Sequence, residues 1–396
     1  MMKRRIDISF LIAALTLTVP CAFAAGPVVV PVDGEPFEAE LAAVDADWEF
    51  TFQTGEKRRT LSAADLVCWG SWAEAARGPI VVTADAGLLV ADVFEADKES
   101  LGVDSLLFGT LKLPLDSLSG VVFDPPAGRH ERDLLFDRVA RATGNSDRIV
   151  LHNGDEITGT VDGLADDTVK LQSDVGPIEI DAARIAALIF NPSLKRPSPQ
   201  EGLRCWASLS DGSLLLAAGL VLDDKSLKLT GPDSETWTTS PGELVAIGPL
   251  GGRATYLSDL SAAGYRHVPY LSLKWPYHRD RNVAGGRLRC DGRLYLKGLG
   301  LHSAGRITYM LDERYDRFQA ELGIDDSTGG RGSVRARVYV DGRQKYTGAT
   351  VRGGAAPVPI AVEVGGAKRL DLIVDFADRA DQLDHADLLN ARLIEE

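Results

Sequence analysis

Aromatic residues are scarce in this 396-residue chain, at 7% of the total. That argues against a broad stacking surface for a long polymer and favours one small pocket. Basic residues are outnumbered too: 43 Lys and Arg stand against 57 Asp and Glu, a net charge of −14. Such a chain repels phosphate backbones and anionic lipid surfaces, so nucleic acid is not an expected partner. Cysteine is rare. Cys21 lies in the leader described below, which leaves Cys68, Cys205 and Cys290, widely spaced. An odd, scattered set is no disulfide framework. Cys68 and Cys205 each precede a Trp and form the one candidate pair; the alternative is three buried apolar thiols. After residue 24 no apolar run is long enough to cross a membrane. Residues 28–252 hold no nucleophile elbow and no phosphate-cradling glycine loop, so nothing there points to an enzyme.

What is present begins with a leader. Lys3, Arg4 and Arg5 precede an apolar stretch at 8–19, and Ala22-Phe23-Ala24 supplies small residues for a peptidase. This predicts a signal peptide over residues 1–24 and a secreted or periplasmic protein. The segment carries a net +2, so its removal takes the chain from −14 to −16.

Residues 28–252 read as short strands separated by turns, with internal self-similarity. The clearest unit, 148–190, has a turn at Asn153-Gly154, alternating residues from Glu156, a turn at Asp166-Asp167 and an apolar close at 185–190. A second copy from Cys205 places Asp223-Asp224 and Leu227-Lys228-Leu229 at matching points. Weaker copies run over 80–123 and 32–69. The expectation is two units over 28–126 and two over 147–252, each of about 45–50 residues and five strands. They resemble SH3-like or Lsm-like β-barrel units, each too small to bury much alone. Between the pairs, residues 127–146 predict a helical spacer with Leu134, Leu135, Val139 and Phe136 on its apolar face. The Asp-Asp pairs fit solvated turns better than acid–base work. His130 and His152 are isolated. The partners of these units are not legible.

Composition shifts near Gly251-Gly252. Four of the six histidines follow it, His267, His278, His302 and His385, and glycine-rich turns separate about eight short strands. Residues 253–396 therefore predict an antiparallel β-sandwich. The whole chain is mainly β, with tandem small units followed by a jelly-roll sandwich. An ordered series of motifs runs through the last third. It comprises Tyr256-Leu257-Ser258-Asp259-Leu260, Trp275, Asp280-Arg281-Asn282-Val283, Lys297-Gly298-Leu299-Gly300-Leu301-His302, Gly323-Ile324-Asp325-Asp326, Val338-Tyr339-Val340-Asp341-Gly342 and Asp384-His385-Ala386-Asp387.

This series resembles the NPCBM family, the carbohydrate-binding module found on family 98 glycosyl hydrolases. The resemblance implies a galactose-binding-like sandwich that takes terminal sugars, galactose-type among them, in loops at one end. A structural Ca²⁺ is common in that fold. Sugar hydroxyls need acceptors, donors and an aromatic face. His302, Asp325, Asp326, Asp384 and His385 supply the polar set, and Trp275 or Tyr277 the ring. The family places Trp where this chain has Leu388, in what reads as a buried final strand. The expected function is a non-catalytic, exported glycan-binding protein. The alternative is a cell-envelope structural or protein-interaction protein whose sandwich binds no sugar.

Overall fold

A computed structural model of the chain describes residues 26–75, 77–196, 201–232 and 234–396. The expected signal peptide lies outside them. The chain is mainly β, and the first half repeats one strand order four times. The third unit shows it most simply: Asp147–Leu151, Glu156–Ala165, Thr168–Ser173, Gly176–Asp181, a 3₁₀ turn at Ala182–Arg184, then Ile185–Ile189. The long second strand pairs with the first strand at one end and the third at the other, so it must bend; its register shifts between Val161 and Gly163. In the other units the same strand breaks at a small residue, Ala39, Ala91 or Ala218. A 3₁₀ turn precedes the closing strand each time, at Ala63–Asp65, Leu115–Ser117 and Pro241–Glu243.

No unit closes into a barrel of its own. The closing strands instead pair across units. Leu118–Val122 of the second unit lies antiparallel to Ile185–Ile189 of the third, with Val121 opposite Leu188. Leu66–Gly70 of the first lies against Leu244–Leu250 of the fourth, with Trp69 opposite Ile247. The bent strands pair in the same way, Ala96 with Leu164 and Val44 with Leu222. The pairing is thus nested, inner with inner and outer with outer. One contact, Leu88 with Leu214, joins the two pairs. Edge strands that would otherwise lie bare are covered, and Phe50, Leu101, Leu171 and Leu209 from the four units share one core.

Two expectations about the helix need correction here. The helix, Arg129–Ala140, is not a spacer: the flanking units pair directly, and the helix lies over their closing strands. Its buried face is Asp133, Phe136 and Val139, while Leu134 is exposed. The thiols of Cys68, Cys205 and Cys290 are all free. Cys205 sits in the core shared by the units and Cys68 in a different cluster, so no bridge joins them.

The last third is a two-sheet antiparallel sandwich. One sheet runs His278–Arg279, Gly298–His302, His385–Glu395, Tyr315–Ile324, Val358–Glu363; the other runs Gly264–His267, Gly305–Met310, Arg369–Phe376, Ser333–Val340, Arg343–Thr347. Leu301, Ile307, Phe318, Val338, Leu372 and Leu393 fill the space between. Leu388 is 1% exposed in this core, so the departure from the family pattern is a packing change.

Acids from the first half meet arginines from the sandwich. Arg289, 7% exposed, donates from Nη1 to Asp133 Oδ2 at 2.5 Å and from Nη2 to Asp133 Oδ1 at 3.0 Å. Its Nε and Nη2 also reach Glu74, at 3.1 and 2.8 Å. Burial alone would raise the Glu74 carboxyl, but the hydrogen bonds and charge of Arg289 outweigh it and hold the group at about 2. Asp133 also accepts from Arg287 N, and Arg281 reaches Asp137 at 2.9 Å. A second contact joins Arg253 to Asp33 and Asp65 at 2.7 and 3.0 Å.

Two outcomes check this packing. A Cβ at Gly120 would run into the Leu188 carbonyl of the paired strand, and one at Gly70 into that of Val245. Gly120→Ala should lower stability by about 1–3 kcal/mol in thermal or denaturant unfolding, and an unchanged midpoint would refute the close strand contact. Arg289→Ala leaves Asp133, 2% exposed, without its counterion. It should lower stability by roughly 3–5 kcal/mol, and a loss near zero would show the two halves are not fastened there.

Candidate functional site

Three histidines converge at one end of the sandwich because three strands begin or end there. His267 ends Gly264–His267, His302 ends Gly298–His302, and His385 opens His385–Glu395. His302 and His385 are cross-strand partners. The loop at 268–277 folds over them and brings in Trp275. Its indole stacks on the His302 ring with centroids 5.2 Å apart and planes 2° from parallel. His385 lies 5.5 Å from the indole and 5.7 Å from His302. His267 meets His302 edge-on at 5.5 Å.

Hydrogen bonds fix this arrangement. The Trp275 N–H donates to His267 Nδ1 at 3.1 Å, so Nδ1 is an acceptor and the ring proton sits on Nε2, 3.1 Å from the Ser303 carbonyl. Tyr265 donates its hydroxyl to the Trp275 carbonyl at 3.1 Å and packs on Tyr277 at 5.0 Å. Tyr277 thus supports the loop from beneath. Burial holds His302 near 4, with His385 and His267 adding to the effect, and burial also lowers His267 and His385. All three imidazoles are neutral at pH 7.

Asp384 is fully buried beside this cluster. Its Oδ1 accepts from Ser333 N at 2.8 Å, and burial pushes its carboxyl up to about 6. The Ser303 hydroxyl lies against the Asp384 carboxyl, and His385 Nδ1 is buried with no hydrogen-bond partner among the described residues. Orphaned buried polar atoms are rare and concentrate where a ligand or water completes the set. The neighbouring chain is bent: Arg379, Ala380 and Leu383 have positive φ, and Tyr270 N donates to Asp381 Oδ2 at 3.1 Å, tying the two loops together.

The expected site therefore divides. Trp275, His302, Asp384 and His385 gather at the loop end, with Tyr277 behind them. Asp325 and Asp326 do not join them, because both are occupied in holding the hairpin Leu288–Cys290/Arg293–Tyr295. Asp325 accepts from Asn282 Nδ2 and Ser327 N, each at 3.0 Å, and from Arg289 N at 3.1 Å. Asp326 accepts from Asp291 N and Gly292 N. Nearby Asp387 is fully buried, and burial next to Asp325 raises its carboxyl well above the usual range. No group of three or more His, Cys, Asp or Glu among the described residues could hold a metal. His267 went unrecognised in the sequence: a lone histidine at a strand end carries no spacing signal, and only the fold brings it to the others.

Residues 253–394 match the NPCBM/NEW2 domain, and this segment is an NPCBM domain. A protein of Renibacterium salmoninarum, provisionally named an endo-alpha-N-acetylgalactosaminidase, is 36% identical over 147 residues, which span 35% of this chain and 9% of that protein. Alpha-1,3-galactosidase B of Akkermansia muciniphila is 30% identical over 112 residues, 27% of this chain and 14% of that one. The chain thus spans only about a tenth of the length of these relatives. Among solved structures, the CBM51-2 and INT domains of Clostridium perfringens ZmpB are 28% identical with a TM-score of 0.34, covering 44% of this chain and 37% of that one. A CBM51 module from Clostridium perfringens GH95, in complex with methyl-galactose, is 24% identical with a TM-score of 0.32, covering 35% of this chain and 99% of that one.

The imidazole cluster makes a pH prediction. An unfolded histidine takes up its proton near 6.5, whereas His302 does so near 4. Between those values the unfolded state holds the extra proton, so His302 makes the fold less stable as pH falls from 6.5 to 4. Ring ¹⁵N NMR should show His302 neutral at pH 5; a midpoint near 6.5 would mean an open, hydrated cluster.

Proposed function

We propose that this is an exported, non-catalytic glycan-binding protein that takes a terminal sugar at the loop end of its NPCBM domain. The observation that carries the reading is Trp275. It is partly exposed, clamped against His302, and bordered by neutral imidazoles and the Asp384 carboxyl. A sugar ring needs an apolar platform on one face and mixed donors and acceptors around it. A fixed indole supplies the first. Neutral imidazoles, each with one donor and one acceptor, supply the second. Unmet hydrogen-bonding capacity at His385 Nδ1 gives a sugar hydroxyl somewhere to bind. The names of the two curated relatives favour galactose-type sugars. The reading assigns no hydrolysis, because binding a sugar ring needs no pair of carboxylates across a cleft. Export rests on the leader of residues 1–24.

One observation favours a second reading, an envelope structural or protein-interaction role without sugar binding. His302 is 4% exposed and Asp384 fully buried, which also suits residues that only fasten strand ends.

Titration calorimetry of the mature protein with methyl-galactoside and N-acetylgalactosamine separates the two. Binding should be detectable, and Trp275→Ala should weaken it at least about tenfold, about 1.4 kcal/mol, while leaving most of the melting temperature intact. Absence of binding to every galactose-type sugar tried would sink the first reading and leave the second.

A further inference from the structure

We propose that the cleft between the first β-unit and the sandwich is a second saccharide site, selective for a sugar that carries a carboxylate. The cleft is far from the Trp275 cluster in composition and position: none of its lining residues belongs to that cluster. Its volume is about 670 Å³, inside the roughly 300–1,000 Å³ range of small-molecule sites. The outer face of the sandwich forms one wall, where Tyr315–Ile324 and His385–Glu395 pair with Gln319 opposite Arg392. Strand alternation turns Gln319, Glu321, Asn390 and Arg392 away from the core and toward the first unit. Trp72 and Tyr295 add aromatic surface.

Two arginines make the argument by contrast. Arg289 and Arg392 are each 7% exposed. Arg289 is matched by two carboxylates, Asp133 and Glu74. Arg392 has no carboxylate within ion-pair distance among the described residues; the charge of Glu321, on the same wall, reaches it only through space. Its Nη1 donates to the Asn390 carbonyl at 3.0 Å, its Nη2 donates to Gln319 Oε1 at 2.8 Å, and its Nε has no partner. A buried guanidinium whose direct hydrogen bonds all go to neutral acceptors is poorly compensated. A ligand carboxylate in the cleft would make the direct ion pair that Arg392 lacks and accept from Nε.

The rest of the lining selects a sugar over a bare anion. Gln319 offers an amide to the cleft, and the Tyr295 hydroxyl has no hydrogen-bond partner among the described residues. Burial raises the Glu321 carboxyl, while the charge of Arg392 and a hydrogen bond with Asn390 act against that rise. Trp72 and Tyr295 give a ring face something to lie on. The chemical class is a hexuronate or a similar acidic monosaccharide.

The test uses the mature full-length chain carrying Trp275→Ala, so that failure here is distinct from failure at the loop end. Glucuronate, glucose and inorganic sulfate are titrated by calorimetry or by NMR. Glucuronate should bind at least tenfold more tightly than either of the others. Arg392→Gln should remove that binding at least tenfold with the fold intact by circular dichroism. Should Arg392→Gln fail to fold, Tyr295→Phe removes only an unbonded hydroxyl and should weaken glucuronate about threefold. Equal affinity for glucose, affinity for sulfate matching glucuronate, no binding at all, or binding indifferent to the folded variant would each overturn the proposal.

Discussion

The burial of Arg289 constrains the rest of the molecule. A guanidinium this far from water is tolerable only with its counterions in place, and those counterions come from elsewhere in the chain: Asp133 from the helix over the inner pair of units, and Glu74 from the link between the first and second units. The hairpin of the sandwich is therefore seated on groups that the first half supplies. From the same residue the ordering continues inward. Arg289 N is held by Asp325, and Asp325 N donates to the His385 carbonyl. The inter-domain ion cluster and the candidate site are thus two hydrogen bonds apart.

The first half has a corresponding economy. Each unit is a single bent sheet with too little area for a core. Pairing closing strands across units solves two problems together: it covers the edge that each sheet would leave open, and it pools four small apolar faces into one core. The closeness of that pairing depends on two glycines, Gly120 in the inner pair and Gly70 in the outer.

Much of this was legible in the sequence, for reasons that are local. Periodicity and turn chemistry located the strands that form Glu156–Ala165, Thr168–Ser173 and Ser333–Val340, although alternation marked the first only as far as Val161. Ordered motifs identified the sandwich. The helix face was misread because burial of Asp133 depends on Arg289, a partner 156 residues away that no local period reveals. Asp325 and Asp326 looked like a ligand pair because two adjacent carboxylates carry the same sequence signal whether they meet a sugar, a metal or backbone N–H groups. His267 was invisible for the opposite reason, as its role is made wholly by strand ends meeting in space. Arg392 belongs to the same class: its lack of a direct ion pair is a fact about a cleft, not about its neighbours in the chain.

The nested order of the units has a kinetic side. The inner pair is joined by a short link and can form as soon as the third unit is complete. The outer pair cannot. Gly70 finds Ala246 only after everything between them has been made, and contacts of such long sequence separation form late. In a chain emerging at about 5–20 residues per second, the closing strand of the first unit stays without its partner for roughly 10–35 s. That interval, rather than the finished fold, is when this protein is most exposed to pairing with the wrong edge.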